Sequence, residues 1–490
     1  MVKKTICFLI VLFSVVSGSY AQKILTLEKA LEIAEENSPS VIASRLNLEG
    51  RQAALDANRA ALKSKFALSV TPFQYSKTRS FNDDYSRWNT VTKVQTGGTF
   101  SIIQPVTETD GTLSLVNNFG WFNTRSEFFK DTTISSFSNN LYLQFTQPLF
   151  TYNKTKMTLR SMELDLENAQ LKYAIDKLSI ERSVTQYFYN VYNAQKGLTI
   201  VEEELANRKQ SYEIIKNKVD AGISAKEELI QAELDLASSQ ANLYNQQASL
   251  ENAKDQLKLT IGLYLDEDIA VLADISVDSV EIDMQKAVDY ALANRQELRQ
   301  REISIQNAYM DLTVQKATNE FKGDMTLSMG ISGDDHDFPN IYDQPTVSPT
   351  VGIKFDIPIY DWGERKAKIK QAETGIESSE LSLKNERNNI TLNIRQIYRN
   401  LNNLRLQIGI QQKNIENAQL TYEINLERYR NGDLTSMDLN LVQNQLSQKK
   451  TDLTGAIINY KIELLNLKIE SLWDFENNKP LIENNSSPIQ

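Results

Sequence analysis

The 490-residue sequence predicts a mainly α-helical fold with a transmembrane β part, built from two similar halves. Segment 145–150 recurs as segment 355–360, a step of 210 residues, and the similarity continues without a gap for over ninety residues. Each copy is followed by a long proline-free helical pattern, and short segments of alternating apolar and polar residues precede it. Self-similarity at a fixed step indicates a duplicated structural unit.

Residues 1–21 have the pattern of an export signal peptide. Lys3 and Lys4 precede an apolar run from Ile6 to Val16, and small residues precede Gln22. Cys7 is the only cysteine and lies inside this segment. The mature chain, expected to begin at Gln22, therefore has no disulfide and no thiolate metal ligand.

The mature chain is acidic. The formal charge of −10 becomes −12 when the two lysines of the signal are removed, which argues against a nucleic acid partner. No later apolar run reaches the length of a membrane-spanning helix. If the chain crosses a membrane, strands must do so.

The first repeat is predicted to cover residues 22–260. It opens with a helix, since Lys29–Asn37 resembles Lys286–Asn294, here with a step of 257. The step is 257 residues at the start of the repeat but 210 from the second strand onward, so the first half contains about 47 extra residues between these two points. Strands are predicted at about 66–76 and 139–150. The polar stretch 77–138 between them is interpreted as an extracellular insert, with two further candidate strands at Gly98–Ile103 and Thr112–Val116.

A long helical hairpin is predicted for residues 154–260. Lys154–Asp220 contains no proline and corresponds to roughly 100 Å of helix. Apolar residues of this helix and of its counterpart follow heptad spacing, which is typical of coiled coils. They are Val184, Phe188, Val191 and Leu198 in the first half, and Ile394, Tyr398, Leu401 and Ile408 in the second.

The second repeat is predicted at 284–476, with strands at about 323–333 and 349–360 and a helical hairpin at 363–476. Residues 261–283 between the repeats are interpreted as an equatorial linker, and 477–490 as a C-terminal tail. A water-facing sheet packed on helices would show the same strand alternation. Aromatic residues at the strand ends favour a girdle at a bilayer edge instead. They are Phe150, Tyr152, Tyr360 and Trp362.

Four predicted strands per chain cannot close around a pore, and an open sheet edge is not tolerated in hydrocarbon. Three copies of four strands would give twelve, within the range of natural barrels. We therefore expect a homotrimer that shares one 12-stranded outer-membrane β-barrel.

The duplicated order of strand, strand, long helix, glycine turn and helix resembles the TolC-like outer-membrane efflux protein family. The passages 145–150 and 355–360 and the turn segments 221–229 and 431–439 carry the resemblance, which extends over the mature chain. It implies a trimeric duct in the bacterial outer membrane, continued as an α-helical barrel into the periplasm. The implied partners are outer-membrane lipid, a periplasmic adaptor protein and an inner-membrane transporter of RND or ABC type. Such a duct is passive, needs no cofactor and is not an enzyme.

The resemblance places a periplasmic gate at the glycine turns. Six residues after each turn glycine stands an acid, Glu228 or Asp438, which in a trimer would form rings of carboxylates. The alternative is that these acids only favour the helix dipole. Tyr429 matches an aromatic gate position, with coiled-coil packing as its alternative. The family's latch arginine is replaced by Leu434, and Arg430 is the candidate substitute, together with Arg428.

Both turns are also expected to dock the adaptor and to shape the tips of the hairpins. The residues predicted for this role are Gly222, Gly432, Ile223, Leu434, Leu229 and Leu439.

Catalysis and a metal site are not expected. His336 is the single histidine, and its acidic surroundings, 334–337, are interpreted as a solvated loop rather than a metal site. Nucleophilic catalysis that pairs a serine or cysteine with histidine is thereby close to excluded. The competing function is a structural coiled-coil protein of the envelope without a channel.

Overall fold

The computed structural model describes residues 23–83, 86–127, 132–277 and 280–481. The predicted signal peptide and the tail beyond 481 lie outside these residues. The helices are α1 Leu27–Asn37, α2 Pro39–Ala61, α3 Lys154–Asp220, α4 Lys226–Ile261, α5 Met284–Asn294, α6 Gln296–Lys316, α7 Glu364–Asn431 and α8 Ser436–Ser471. The strands are β1 Lys23–Leu25, β2 Lys65–Asn82, β3 Arg87–Val106, β4 Gly111–Ser126, β5 Thr133–Leu149, β6 Ile269–Val271, β7 Lys322–Asp335, β8 Thr346–Asp356, β9 Trp473–Asp474 and β10 Lys479–Pro480.

The element bounds confirm the duplication. Helices α3 and α7 begin 210 residues apart, at 154 and 364, and α4 and α8 do so at 226 and 436. Helices α1 and α5 begin 257 residues apart, at 27 and 284. The two predicted helical hairpins are therefore present, and each long helix is unbroken over 67 or 68 residues.

The chain forms two compact units. Of the described residues, a helical unit contains those up to Arg45, those of Tyr173–Arg295 and those from Asn388 to 481. A sheet unit contains Leu46–Lys172 and Gln296–Arg387. Among the described residues, no helix is both long and apolar enough to cross a membrane.

The predicted heptad seam forms the core of the helical unit. Val184, Phe188 and Val191 are fully buried, as is Ile394 on α7. Burial at a spacing of three and four residues is what coiled-coil packing requires.

Part of the predicted linker 261–283 is a buried strand. Strand β6 pairs in parallel with β1, and the side chains of Leu25 and Ile269 are both fully buried. A three-residue strand is too short to give a period-two signal, and its partner lies more than 240 residues earlier in the sequence. The interpretation of 261–283 as a linker is therefore corrected for Ile269–Val271, which belong to the core of the helical unit.

The sheet unit contains six strands rather than the predicted four, in the order β2-β3-β4-β5-β7-β8. The stretch 77–138, interpreted as an extracellular insert, instead forms β3 and β4 and extends β2 and β5. Its many Asn, Ser and Thr residues indicated a loop. They lie in strands because one face of each strand carries the polar positions.

The two faces of this sheet differ in polarity along every strand. Cross-strand pairing places one polar row on one face, from Ser69 through Thr99, Asn118 and Asn140 to Ser332. The opposite face is apolar over six strands. Its residues include Phe66, Leu68, Phe100, Ile102, Leu113, Leu115, Leu141, Leu143, Phe145, Met325, Leu327, Met329, Ile331, Val347, Val351 and Ile353.

Candidate functional site at the hairpin tips

Both hairpin tips are Schellman turns closed by glycine. Gly222 and Gly432 have φ values of +72° and +90°, in the left-handed region that favours glycine. The N–H of Ile223 donates to the Lys218 carbonyl at 2.7 Å, and the N–H of Asp433 donates to the Arg428 carbonyl at 2.9 Å. These bonds satisfy carbonyl groups that would otherwise be unpaired at the ends of α3 and α7.

A hydrophobic cluster joins the two tips. Ile215 from α3, Ala232 from α4, Tyr429 from α7 and Leu439 from α8 are all buried in it. Of the residues predicted for adaptor docking, Leu439 is 1% exposed, while Leu229 and Leu434 pack partly buried against the cluster. These three leucines therefore hold the tips together.

Gly222, Gly432 and Ile223 are the predicted docking residues that remain exposed, and 75% of the Ile223 side chain is accessible. Met437 and Leu441, at 72% and 58%, are exposed apolar side chains near the other turn. Neither was predicted from the sequence to dock the adaptor. A contiguous patch of exposed apolar side chains is typical of a protein-binding surface, which makes these three apolar residues candidates for adaptor contact.

Tyr429 is buried against the other hairpin. Its ring lies 4.7 Å from the Lys218 ammonium, which donates a hydrogen bond of 3.1 Å to the Tyr429 carbonyl. Among the described residues its hydroxyl has no hydrogen-bond partner. Burial, with a smaller contribution from the negative charge of Glu228, raises the pKa of Tyr429 to about 12.

The two predicted gate acids are exposed but differ in their local bonding. Asp438 lies in the first turn of α8, where its carboxylate accepts a hydrogen bond of 2.7 Å from the Thr435 hydroxyl. The Thr435 hydroxyl in turn accepts the Asp438 N–H at 3.2 Å, so Thr435 caps the start of α8 and the two side chains hold each other in place. The residue before α4 is Ala225, which offers no side-chain cap, so Glu228 is not held in this way.

Arg430, the candidate substitute for the latch arginine, pairs with Glu427 on its own helix at 2.8 Å. The structure therefore shows no latch to the other hairpin through this residue. Arg430 instead forms a local ion pair three residues apart along the last turn of α7.

A buried polar cluster centred on Arg208 also joins the hairpins and was not predicted from the sequence. The Arg208 side chain is 8% exposed, donates to the Asn444 side-chain oxygen Oδ1 at 2.7 Å and pairs with Glu204 at 3.5 Å. Asp235 accepts from Asn440 at 2.6 Å and lies 3.9 Å from Arg208. Removal of one partner would leave a buried charge uncompensated, which is costly.

The predicted girdle aromatics lie where the strands of the sheet unit end. Phe150 is 64% exposed, and its ring centroid lies 5.4 Å from that of Phe321. Tyr360 and Trp362 are exposed, with centroids 4.8 Å apart, and Tyr152 is half-buried. Their role at a membrane edge remains a prediction.

Comparison with known proteins decides the family. The profile described as "Outer membrane efflux protein" matches residues 112–263 and 287–468, which is more than half of the chain. The chain belongs to the outer membrane efflux protein family.

Relatives of this outer membrane efflux protein include Outer membrane protein TolC of Escherichia coli (strain K12). The two are 24% identical over 362 residues, which cover 70% of this chain and 72% of TolC.

Solved structures show the same fold. The Campylobacter jejuni CmeC outer membrane channel has a TM-score of 0.70 and 16% identity, over 94% of this chain and 87% of CmeC. The open state of the Neisseria gonorrhoeae MtrE outer membrane channel has a TM-score of 0.63 and 14% identity, over 91% and 88%.

This outer membrane efflux protein is therefore the outer-membrane channel component of an efflux system. The family is one of channels rather than of enzymes. The apolar face of the sheet is consistent with a location of this protein in the outer membrane. The gating and docking roles of the tip residues remain predictions.

Proposed function

We propose that three copies of this chain form one passive duct, whose shared β-barrel crosses the outer membrane and whose helical tips open toward the periplasm. The observation that supports it is the pair of unpaired sheet edges. Within the described residues, β2 and β8 each pair with a neighbour on one side only. In hydrocarbon such an edge must be paired, because no water is available to its N–H and C=O groups.

The two edge strands, β2 and β8, can pair with each other between copies. All five neighbouring pairs in the six-stranded sheet are antiparallel, so β2 and β8 also run in opposite directions. The β8 strand of one copy can therefore extend the sheet of the next through its β2 strand with the antiparallel pattern intact. Three copies of six strands give eighteen, in place of the twelve expected from the sequence.

The polar face then lines a water-filled lumen and the apolar face contacts lipid, as in other outer-membrane barrels. At the tips, threefold symmetry makes a ring of carboxylates from Glu228 and another from Asp438. Rings of this kind attract cations to a constriction. Cargo would arrive through a periplasmic adaptor from an inner-membrane transporter of RND or ABC type, with the adaptor contacting Ile223.

Cross-linking between edges tests the assembly. Ser69→Cys on β2 is combined in turn with Thr346→Cys, Ser348→Cys and Thr350→Cys on β8, all on the polar face. At least one pair should give covalent trimers under oxidation, in outer membranes and in detergent. A monomer that forms no cross-link with any pair, and no ion-conducting pore in planar bilayers, would contradict the duct and favour a structural coiled-coil protein.

A further inference from the structure

The inserted strands β3 and β4 lie within the sheet rather than outside it. Strand β3 pairs with β2 from Lys65–Ile103 to Asn82–Arg87, and β4 pairs with β5 from Thr112–Thr146 to Arg125–Thr133. The match to the family profile begins at residue 112, so β3 lies before it and β4, from its second residue onward, lies within it. We infer that this β3–β4 hairpin is a built-in widening element, which enlarges the exit of the duct for bulky hydrated cargo. This inference rests on the proposed trimer.

Both faces of the hairpin continue those of the adjoining strands. Phe100 and Leu115 lie on the apolar face, while Thr99 and Asn118 lie on the polar face, where the Thr99 hydroxyl donates to the Asn118 side-chain oxygen at 2.8 Å. A surface loop has no need for this division. A barrel wall requires it, because one side meets lipid and the other meets water.

The turn of the hairpin is also anchored to the long helix. The Asp110 carboxylate accepts the N–H groups of Lys154 at 3.2 Å and Thr155 at 3.0 Å, which caps the start of α3. The Asn153 side chain donates to the Thr107 carbonyl at 2.8 Å.

The second half, which lacks this hairpin, caps its long helix locally. Asp361 accepts the N–H groups of Gly363 and Arg365, both at 3.0 Å. The residue of the first half that corresponds to Asp361, 210 positions earlier, is Thr151, which cannot supply a carboxylate. The first half therefore takes its carboxylate cap from the inserted turn, so the hairpin is integrated into the repeat that holds it.

The hairpin changes the width of the exit. With strands about 4.8 Å apart and tilted by about 40°, a closed barrel of twelve strands has a backbone radius of about 12 Å, and one of eighteen strands about 18 Å. Each copy contributes two of the six added strands. The lumen beside them is polar, so the gain in width admits larger hydrated solutes.

Alternating accessibility tests whether the hairpin lies in the wall. Cys7 is replaced by serine, which leaves a background without cysteine, and single cysteines are placed at Thr99, Phe100, Ser101 and Ile102. Thr99→Cys and Ser101→Cys should react with a membrane-impermeant maleimide at least about tenfold faster than Phe100→Cys and Ile102→Cys, because lipid covers the latter. Equal rates at all four positions would show a surface loop and overturn the inference.

A deletion tests the width. Residues 79–131 are replaced by Asn-Gly, so that Thr78 faces Thr132 across a two-residue turn. The new β2–β5 pair keeps each residue on its face, since Gln74 and Ser136 already share one cross-strand row through Gln95 and Phe122. The substitution T151D supplies the lost cap, and T151D alone in the full chain is the control.

A lumen cysteine, Ser328→Cys, then reports the size limit from outside the cell, where the periplasmic tips do not restrict access. Polyethylene glycol maleimides of graded size should label the parent up to a radius about 6 Å larger than in the deletion variant. A trimeric deletion variant with an unchanged limit would refute the widening role and leave the proposed duct intact. A full-length chain that is monomeric would refute the duct itself. If the deletion variant fails to assemble, the maleimide reaction rates at positions 99–102 decide whether the hairpin belongs to the barrel wall.

Discussion

The Lys218 ammonium on α3 lies 4.7 Å from the centroid of the Tyr429 ring on α7 and donates to the Tyr429 carbonyl at 3.1 Å. One cation thus binds both the face of the ring and the negative end of the other long helix. The contact joins the two hairpin tips of one chain at the predicted periplasmic entrance.

Removal of this cation should loosen the tips. We expect Lys218→Met to weaken the contact by about 1–2 kcal/mol and to raise the frequency of open events in single-channel recordings. Lys209→Met, at an exposed position nine residues earlier on α3, is the matched control and should behave as the parent. An equal increase in both variants would remove Lys218 from the gate.

High pH should destabilise the tip through Tyr429. An unfolded tyrosine loses its proton near pH 10, whereas burial raises the pKa of Tyr429 to about 12 in the folded chain. The contribution of neutral, buried Tyr429 to the free energy of unfolding is therefore complete below pH 10. It is lost as the pH rises toward 12, a decrease of up to about 3 kcal/mol.

The measurement is a tyrosinate absorbance titration of the parent minus that of Tyr429→Phe, together with thermal melting at each pH. Tyr189, whose pKa burial also raises to about 12, supplies the control variant Tyr189→Phe. A Tyr429 difference curve centred near pH 10 would contradict the burial of this ring.

The charge and the capping role of Asp438 can be separated. Asp438→Asn keeps a side-chain oxygen for the Thr435 hydroxyl but removes the charge, so cation preference and divalent block should fall in planar bilayers. Thr435→Ala removes the cap and keeps the charge, at a cost of about 1 kcal/mol in stability. If Thr435→Ala changes selectivity and Asp438→Asn does not, then the acid serves only the helix end.

The tip glycines should tolerate no other residue without strain. A Cβ at Gly432 or Gly222 would meet no atom within 4 Å, so the expected cost of alanine, about 1–2 kcal/mol, comes from the positive φ alone. Gly409→Ala, inside α7 and equally open, should instead stabilise the chain by about 0.5–1 kcal/mol. Thermal melting compares the three variants. Equal melting temperatures would show that the turns do not need the left-handed conformation.

Adaptor docking should depend on Ile223. Because this side chain is 75% exposed, Ile223→Asp should leave folding unchanged but reduce cross-linking to the adaptor at least about tenfold. Ile223→Val, which keeps an apolar side chain, should retain docking. Full cross-linking of Ile223→Asp would place the docking surface elsewhere, with Met437 and Leu441 as the next candidates.

Periodicity predicted the helical hairpins well, because a buried heptad seam constrains every third or fourth residue over many turns. Val184, Phe188 and Ile394 show that seam in the sequence and are fully buried in the structure. Glycine positions 222 and 432 likewise predicted the turns, since only glycine adopts their conformation freely.

The sequence predicted only parts of β3 and β4, the candidate strands Gly98–Ile103 and Thr112–Val116, because the strand signal of the surrounding residues is weak. Positions such as Gly98 and Asn117 on the otherwise apolar face interrupt the alternation. The Arg208 cluster could not be predicted either, because Glu204, Asp235 and Asn444 come together only when α3, α4 and α8 pack.

The sequence by itself determined the duplication, the lengths of the helices and the need for strands in a membrane, because all three depend on local spacing along one chain. Only the tertiary structure decided that the sheet has six strands, that Leu439 is buried at the tip and that Asp110 caps α3. Each of these depends on pairing between residues far apart in the chain, and the free energy of such contacts leaves no periodic trace in the sequence.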